Sequence, residues 1–238
     1  MNDPVSTFKL FGLTFNVGNM ISVFVTSVVV FLLMFFLSRK LRLVPTGKQN
    51  ALEMMADFTN NIVKGSLDKD TSRAFSLYAF VLFFFILISN QLGLFIQLTY
   101  NDVSYVKSPT ADPIVTMTLA LMTLMLAHFA GVSKFGFKGY FSNTYLKPFK
   151  VWLPLSIFEE FTNFLTLGLR LFGNIFAGEM LLSVIMNFAF SHGPITMVIA
   201  VPLTLIWQGF SVFLGSIQAF VFVTLTSVYI SQKIEVEE

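Results

Sequence analysis

The chain has 238 residues, of which 55% are hydrophobic and 12% charged, with a formal net charge of +2. A mean hydropathy of +0.76 excludes an ordinary water-soluble domain and indicates an integral membrane protein. The absence of cysteine excludes disulfides, thiolate catalysis and Cys-ligated metals.

Met1 to Gly12 holds Asp3, Pro4 and Lys9 but no basic start leading into a short apolar core. The first long apolar segment is therefore expected to be retained as a membrane span. That segment, Met20 to Ser38, is free of charge and ends at Arg39, Lys40 and Arg42. Pro45 breaks it, and Thr46 with Gln49 forms a candidate capping box for the next helix. There Ala51, Leu52, Met55, Phe58 and Ile62 recur at helical spacing beside Lys48, Glu53, Asp57 and Lys64. The pattern predicts a helix lying on the membrane surface rather than a second span. Gly47-Lys48 is not the end of a phosphate loop, because Arg42 stands where the first glycine would be.

Ala74 to Tyr100 is the second predicted span, with Asn90, Gln91 and Gln97 near its far end, a pattern as suited to a channel mouth as to an ordinary interface. A polar loop follows, closed by Asp112-Pro113, which reads as an N-cap with proline at the first helical position. The third span is predicted over Pro113 to Ser133, with His128 near its end as a hydrogen-bonded structural residue. Lys134, Lys138, Lys147 and Lys150 mark the next loop. Two very long helices come last, over residues 151–190 and 195–231. At 1.5 Å per residue they approach about 60 and 55 Å, nearly twice the hydrocarbon thickness, so steep tilting is expected. Pro154, Pro194 and Pro202 are read as marking irregular helix beginnings.

With the N-terminus outside and five crossings, all of the 15 basic residues except Lys9, Lys107 and Arg170 fall inside, which favours that orientation. The expected fold is an all-α membrane protein: five crossing helices plus one amphipathic interfacial helix. It is one membrane domain over 1–238. The N-terminus and first span occupy 1–45, the interfacial helix 46–70, a helical hairpin 74–133 and a long tilted hairpin 151–231.

Arg170 sits in the middle of the first long helix. An arginine at mid-membrane costs about 2.5–3.5 kcal/mol on insertion scales, and it cannot escape by losing its proton. Roughly 15 Å of helix separates it from the nearest acids on either side, too far to snorkel. On a 100° wheel it shares a face with Glu159, Asn163, Thr166 and Asn174, while Glu179 points the opposite way. Glu159 could also close a capping box with Ser156, and Glu160 reads as interfacial. No basic residue follows Glu179 until Lys233. In the last helix Thr204, Ser211, Gly215 and Gln218 form a stripe with Gln208 at its edge, small and polar residues that suit close helix approach or an ion path.

The run Gly168-Leu169-Arg170-Leu171-Phe172-Gly173-Asn174, followed by Ala177-Gly178-Glu179, resembles the signature of the a subunit of F-type ATP synthases. Pro109 to Asp112 and the Gln218-Ala219-Phe220 segment extend the resemblance, which covers most of the chain beyond residue 45. It implies a bacterial-type Fo stator that carries ions, protons in preference to sodium, through two offset half-channels beside a rotating c-ring. Arg170 would be the charge barrier and partner of the rotor carboxylate; Glu179, Asn174, Gln218, Ser211, Glu159, Asn163 and Gln208 would line the ion path. The long hairpin would face the rotor. The implied partners are the c-ring, the b subunits of the peripheral stalk and membrane lipid, with no nucleic acid. The implied location is the cell membrane, with a cytoplasmic C-terminus. No cofactor, metal or catalytic site on this chain is expected. Some relatives pair a His with the residue matching Glu179; here that position is Ser211. A rotor-independent transporter or channel is the alternative, but it predicts internal repeats with matching broken helices, and none is apparent. A membrane-embedded enzyme would want clustered His and carboxylates, whereas His128 and His192 lie far apart in sequence.

Overall fold

A computed structural model describes residues 7–10, 13–39, 47–95, 98–100, 103–106, 108–145, 153–191 and 193–235. A short antiparallel hairpin, β1 (Thr7–Leu10) and β2 (Leu13–Asn16), leads into α1 (Val17–Leu37). Then come α2 (Lys48–Lys64), α3 (Lys69–Phe95), a second hairpin of β3 (Leu98–Tyr100) and β4 (Val103–Val106), and a 3-10 turn at Pro109–Ala111. The chain continues through α4 (Pro113–Tyr145), α5 (Leu153–Ala189) and α6 (Pro194–Ile234). Among the described residues all α-helices but α2 are long and apolar enough to cross a membrane, five in number, so the all-α membrane architecture is as expected. The two small hairpins are additions to that expectation.

Local chemistry explains the helix boundaries. Asn16 caps α1 by accepting from the Asn19 amide at 3.3 Å. Asp112 caps α4, its Oδ1 accepting from the Ile114 amide at 2.8 Å, as its sequence predicts. The capping box expected for α2 is corrected. Thr46 lies outside the described residues, Gly47 with φ of 58° precedes the helix, and Gln49 donates forward to Glu53 at 2.8 Å. The first helical segment of α4 reaches Gly136, close to the predicted end at Ser133, where φ of 69° and ψ of 161° interrupt the helix in a conformation glycine adopts without steric cost; a second helical segment then runs to Tyr145. Lys134 and Lys138 are therefore helical, while Lys147 and Lys150 lie outside the described residues. Pro154 and Pro194 sit at helix starts, but Pro202 lies inside α6, which continues past it. Before α3, Asp68 accepts from the Thr71 amide at 3.5 Å, and its hydrogen bonding to Thr71 holds the carboxyl below its ordinary value. The stabilisation from this exposed cap is present above the ordinary carboxylate range and is lost as pH falls through the lowered value.

The chain divides into two compact units. The first takes α1, the end of α3 from Phe84, the second hairpin with the start of α4, α5 from Leu171 and α6 up to Ala219. In it Gly215 lets α3 approach α6 closely: an added Cβ would lie 3.1 Å from Gln91 Nε2 and 3.2 Å from Asn90 Cβ. The two helices are tied there by Asn90 Nδ2 donating to the Gly215 carbonyl at 3.0 Å and Gln91 Nε2 to that of Val212 at 3.2 Å. Within the small-residue stripe read on α6, Gly215 thus lies at an interface with α3. Asp112 Oδ2 also accepts from Asn19 Nδ2, tying the start of α4 to α1.

The second unit takes α2, α3 up to Phe83, α4 from Thr116, α5 up to Arg170 and α6 from Phe220. Its core includes Val63, Leu82, Leu124, Leu167, Phe222 and Ile230, all buried. Phe58 of α2 meets Phe83 edge-on and lies tilted against Phe220, with ring centroids 5.6 and 6.1 Å apart. That face is the apolar one the α2 sequence predicts, with Glu53, Asp57 and Lys64 exposed on the other. Buried hydroxyls bond back to the carbonyl four residues earlier, as Thr123 does to Leu119 at 2.9 Å and Thr226 to Phe222 at 2.8 Å, so neither hydroxyl is stranded by its burial.

Candidate functional site

In the first unit α3, α5 and α6 enclose a cavity of about 90 Å³. Its wall includes Asn90 and Gly93 of α3, Asn174, Gly178 and Glu179 of α5, and Trp207 and Ser211 of α6. A water needs roughly 15 Å³ of such space, so the cavity has room for a short file of them. Glu179, Asn174 and Ser211, all expected in an ion path, are brought together here. The helical wheel groups Asn174 with the Arg170 face; in the fold it lines the same cavity as Glu179, and its Nδ2 donates to the Leu214 carbonyl at 3.4 Å. Ser211 Oγ is buried and makes no hydrogen bond among the described residues. A hydroxyl so placed can both donate to and accept from water, next to a carboxyl that can take up a proton.

The cavity is held open by a rigid polar frame. Thr110 donates to Asn90 Oδ1 at 2.8 Å, and Ser108 bonds Thr110 at 2.8 Å and the Ser89 carbonyl at 2.9 Å. Asn90 is 5% exposed, so these bonds are made away from bulk water and fix its side chain. Trp207 Nε1 donates to the Gly178 carbonyl at 3.1 Å, clamping α6 to α5 beside Glu179. Sequence reasoning missed Trp207; its one signal is rarity, since the chain has only 2 tryptophans. Asn90 stands out in the sequence as a polar residue in a span, but nothing along the chain separates a channel mouth from an ordinary interface there.

Gln208 and Gln218 stand apart from the cavity wall. Gln208 Nε2 donates to the Leu94 carbonyl at 3.2 Å, satisfying one of the open carbonyls in the last turn of α3. Gln218 is 6% exposed, and its Nε2 has no partner among the described residues. Gln97 and His192 lie outside the described residues.

In the second unit Arg170 is exposed and forms no hydrogen bond or ion pair among the described residues. Its helix is pressed against α4 two residues earlier, where a Cβ on Gly168 would come 2.5 Å from Met117 Sδ. Glu159 is exposed, Asn163 half-buried, and Thr166 donates to the Thr162 carbonyl at 2.8 Å. The capping-box reading of Glu159 is corrected, because α5 begins at Leu153 and Ser156 is already inside it.

Glu160, read as interfacial, is the acid that the fold engages. Lys233 of α6 donates to its Oε1, and His128 Nε2 of α4 lies 3.5 Å from its Oε2. His128 Nδ1 in turn bonds the Tyr140 hydroxyl. Along the chain Lys233 is the next cation after Glu179; the fold places it on Glu160. No spacing rule could have found the group, because its members come from three helices.

The family model for the ATP synthase A chain matches residues 20–231. ATP synthase subunit a of Pediococcus pentosaceus is 64% identical over 235 residues, covering 99% of each chain. The subunit a of Limosilactobacillus fermentum is 58% identical over 98% of this chain and 99% of its own. That of Enterococcus hirae is 49% identical over the whole of both chains, 100% each. With the helices, the embedded arginine and the motif around it, these likenesses lead to one conclusion: the chain belongs to the ATP synthase A chain family.

Proposed function

We propose that the chain conducts protons across the membrane through two offset half-channels, beside a rotating ring of c subunits that carry an acidic side chain. The observation that carries this reading is Arg170, an exposed guanidinium with no partner among the described residues in an otherwise apolar helix. A charge left so costs several kcal/mol in a membrane unless an anion meets it. A carboxylate brought past by the ring supplies that anion at each step. Arg170 keeps that carboxylate ionised as it passes and bars a direct leak between the half-channels. Exposed apolar side chains on the same hairpin, among them Phe158, Phe161, Phe176 and Phe213, suit an apolar rotor or lipid around it.

One half-channel uses the Glu179 cavity, with Asn174 and Ser211 beside it. The other uses the face of Glu159, Asn163 and Thr166. Gln218 and Gln208 steady α6 along the path. The b subunits of the peripheral stalk hold the chain against rotation. A transmembrane potential supplies about 2.3 kcal/mol per proton per 100 mV. The test is deletion of this chain from its host. ATP-driven acidification of inverted vesicles should vanish and return when the chain is supplied again. Acidification that persists without it would refute the reading.

The basic residues favour an outside N-terminus and a cytoplasmic C-terminus. With cysteine absent, single introduced thiols are clean probes. Ser142→Cys is expected to react with an impermeant maleimide from the cytoplasm and Ser104→Cys from outside. The reverse pattern would overturn the orientation.

A further inference from the structure

We propose that His128 is a proton-exchange residue for Glu160, and that Tyr140 and Lys233 position the pair, making a proton-entry site on the cytoplasmic side. This rests on the proton-conducting reading above and deepens it.

Three helices meet at this carboxylate. Glu160 is on α5, Lys233 on α6, and His128 and Tyr140 flank the Gly136 kink of α4. The side chains of Glu160, Lys233 and His128 are 17%, 11% and 31% exposed, so the group is largely screened from bulk solvent but not sealed. Lys233 supplies the counter-charge for an ionised Glu160, which would otherwise be costly to bury. One cation would suffice for a structural ion pair. The imidazole edge facing the second oxygen is a further, titratable donor.

The geometry gives both ring nitrogens a task. Nε2 faces Glu160 Oε2 at 3.5 Å, while Nδ1 is bonded to the Tyr140 hydroxyl. A cavity of about 440 Å³ opens along His128, Tyr140, Phe141, Tyr145, Leu153 and Ile157, wide enough for water to reach that hydroxyl. The transfer is balanced. In the neutral ring Nε2 carries the proton and Nδ1 accepts from the Tyr140 hydroxyl. A hydronium in the cavity gives a proton to the Tyr140 hydroxyl, which passes its own to Nδ1 and so forms imidazolium. The Nε2 proton then passes to Oε2 of ionised Glu160, leaving imidazole protonated on Nδ1, a neutral carboxyl and water. In the opposite direction each step reverses. Besides these groups, Tyr145 of α4 lies close enough to Glu160, and Lys233 to His128, for their charges to interact. Histidine is the side chain whose ordinary charge change lies nearest neutrality, so flux limited by it varies with the pH of the bath.

The experiment uses inverted vesicles holding the whole synthase, whose bath contacts the cytoplasmic side. ATP-driven pumping, and passive proton flux after removal of the soluble sector, are followed as bath pH is varied. His128→Gln keeps polar contacts but cannot titrate. It should slow flux by about 10²-fold, the low end of acid–base catalytic effects, and flatten its pH profile, with normal amounts of the chain in the complex. Tyr140→Phe should slow flux in the same way, and Lys233→Arg should restore what Lys233→Gln loses. A His128→Gln profile that overlays the parent would overturn the proposal; if that variant does not assemble, an unchanged Tyr140→Phe profile would do so. If flux depends on Arg170 but not on His128, the proton-conducting reading stands and this one falls. If no flux depends on the chain, both fall.

Discussion

Replacing Arg170 with alanine is expected to abolish ATP-driven proton pumping while the chain still assembles. The side chain is exposed and makes no hydrogen bond or ion pair among the described residues, so removing it takes away no internal contact that folding uses. What it removes is the fixed charge awaiting the rotor carboxylate. Deleting one preorganised charge-stabilising group costs roughly 10²- to 10³-fold in rate, and here the barrier between half-channels is lost as well. Passive proton leak through the membrane sector should therefore rise as coupled pumping falls. Arg170→Lys keeps the charge but not the planar fork of donors, and should recover little of the lost function. Near-normal coupled pumping by the alanine variant would sink the assignment.

The second large effect is expected at Glu179. Glu179→Gln keeps size and hydrogen-bonding capacity but cannot carry a proton. Because the carboxyl lines a cavity with room for water beside Ser211 and Asn174, its loss should slow proton flux in both directions by about 10²-fold. Ser211→Ala removes only one hydroxyl from the water file and should cost far less. Glu159→Gln should also be mild, since Glu159 is exposed and water can replace it. Cysteines placed singly along residues 174–186 and 156–166, probed with silver ions from each side, locate the two paths. Glu179 is expected to serve the outside half-channel and the Glu159 face the inside one, so reaction near Glu179 from the cytoplasm alone would reverse that assignment. Inertness from both sides would make Glu179 structural.

The spans, the amphipathic helix α2, the Asp112 cap and the distance of Arg170 from any acid on its helix could all be read along the chain. Each depends on residues within a few turns of one another, where helical periodicity, apolar length and capping chemistry act. Along its own helix no acid stands within reach of Arg170; its exposure, and the absence of a partner from another helix among the described residues, come from packing. The second helical segment of α4, beyond Gly136, was missed because lysines spaced among apolar residues look the same in a loop as along a short helix.

Tertiary structure alone decided which polar groups meet. Lys233 reaches Glu160 across 73 residues of sequence, and Asn90 reaches Gly215 across 125. Neither pairing has a spacing that periodicity can express, because helices cross according to the shape of their small residues and side chains rather than by order in the chain. Glu159 and Glu160 are neighbours of identical chemistry, yet one faces outward and the other binds a lysine beside a histidine. Composition and pattern determined that this chain is a bundle of membrane helices with one charge that cannot be neutralised. Only the packing of α4, α5 and α6 could choose between those two adjacent acids, because a turn of about 100° separates their side chains and the burial of a charge depends on which helix it meets.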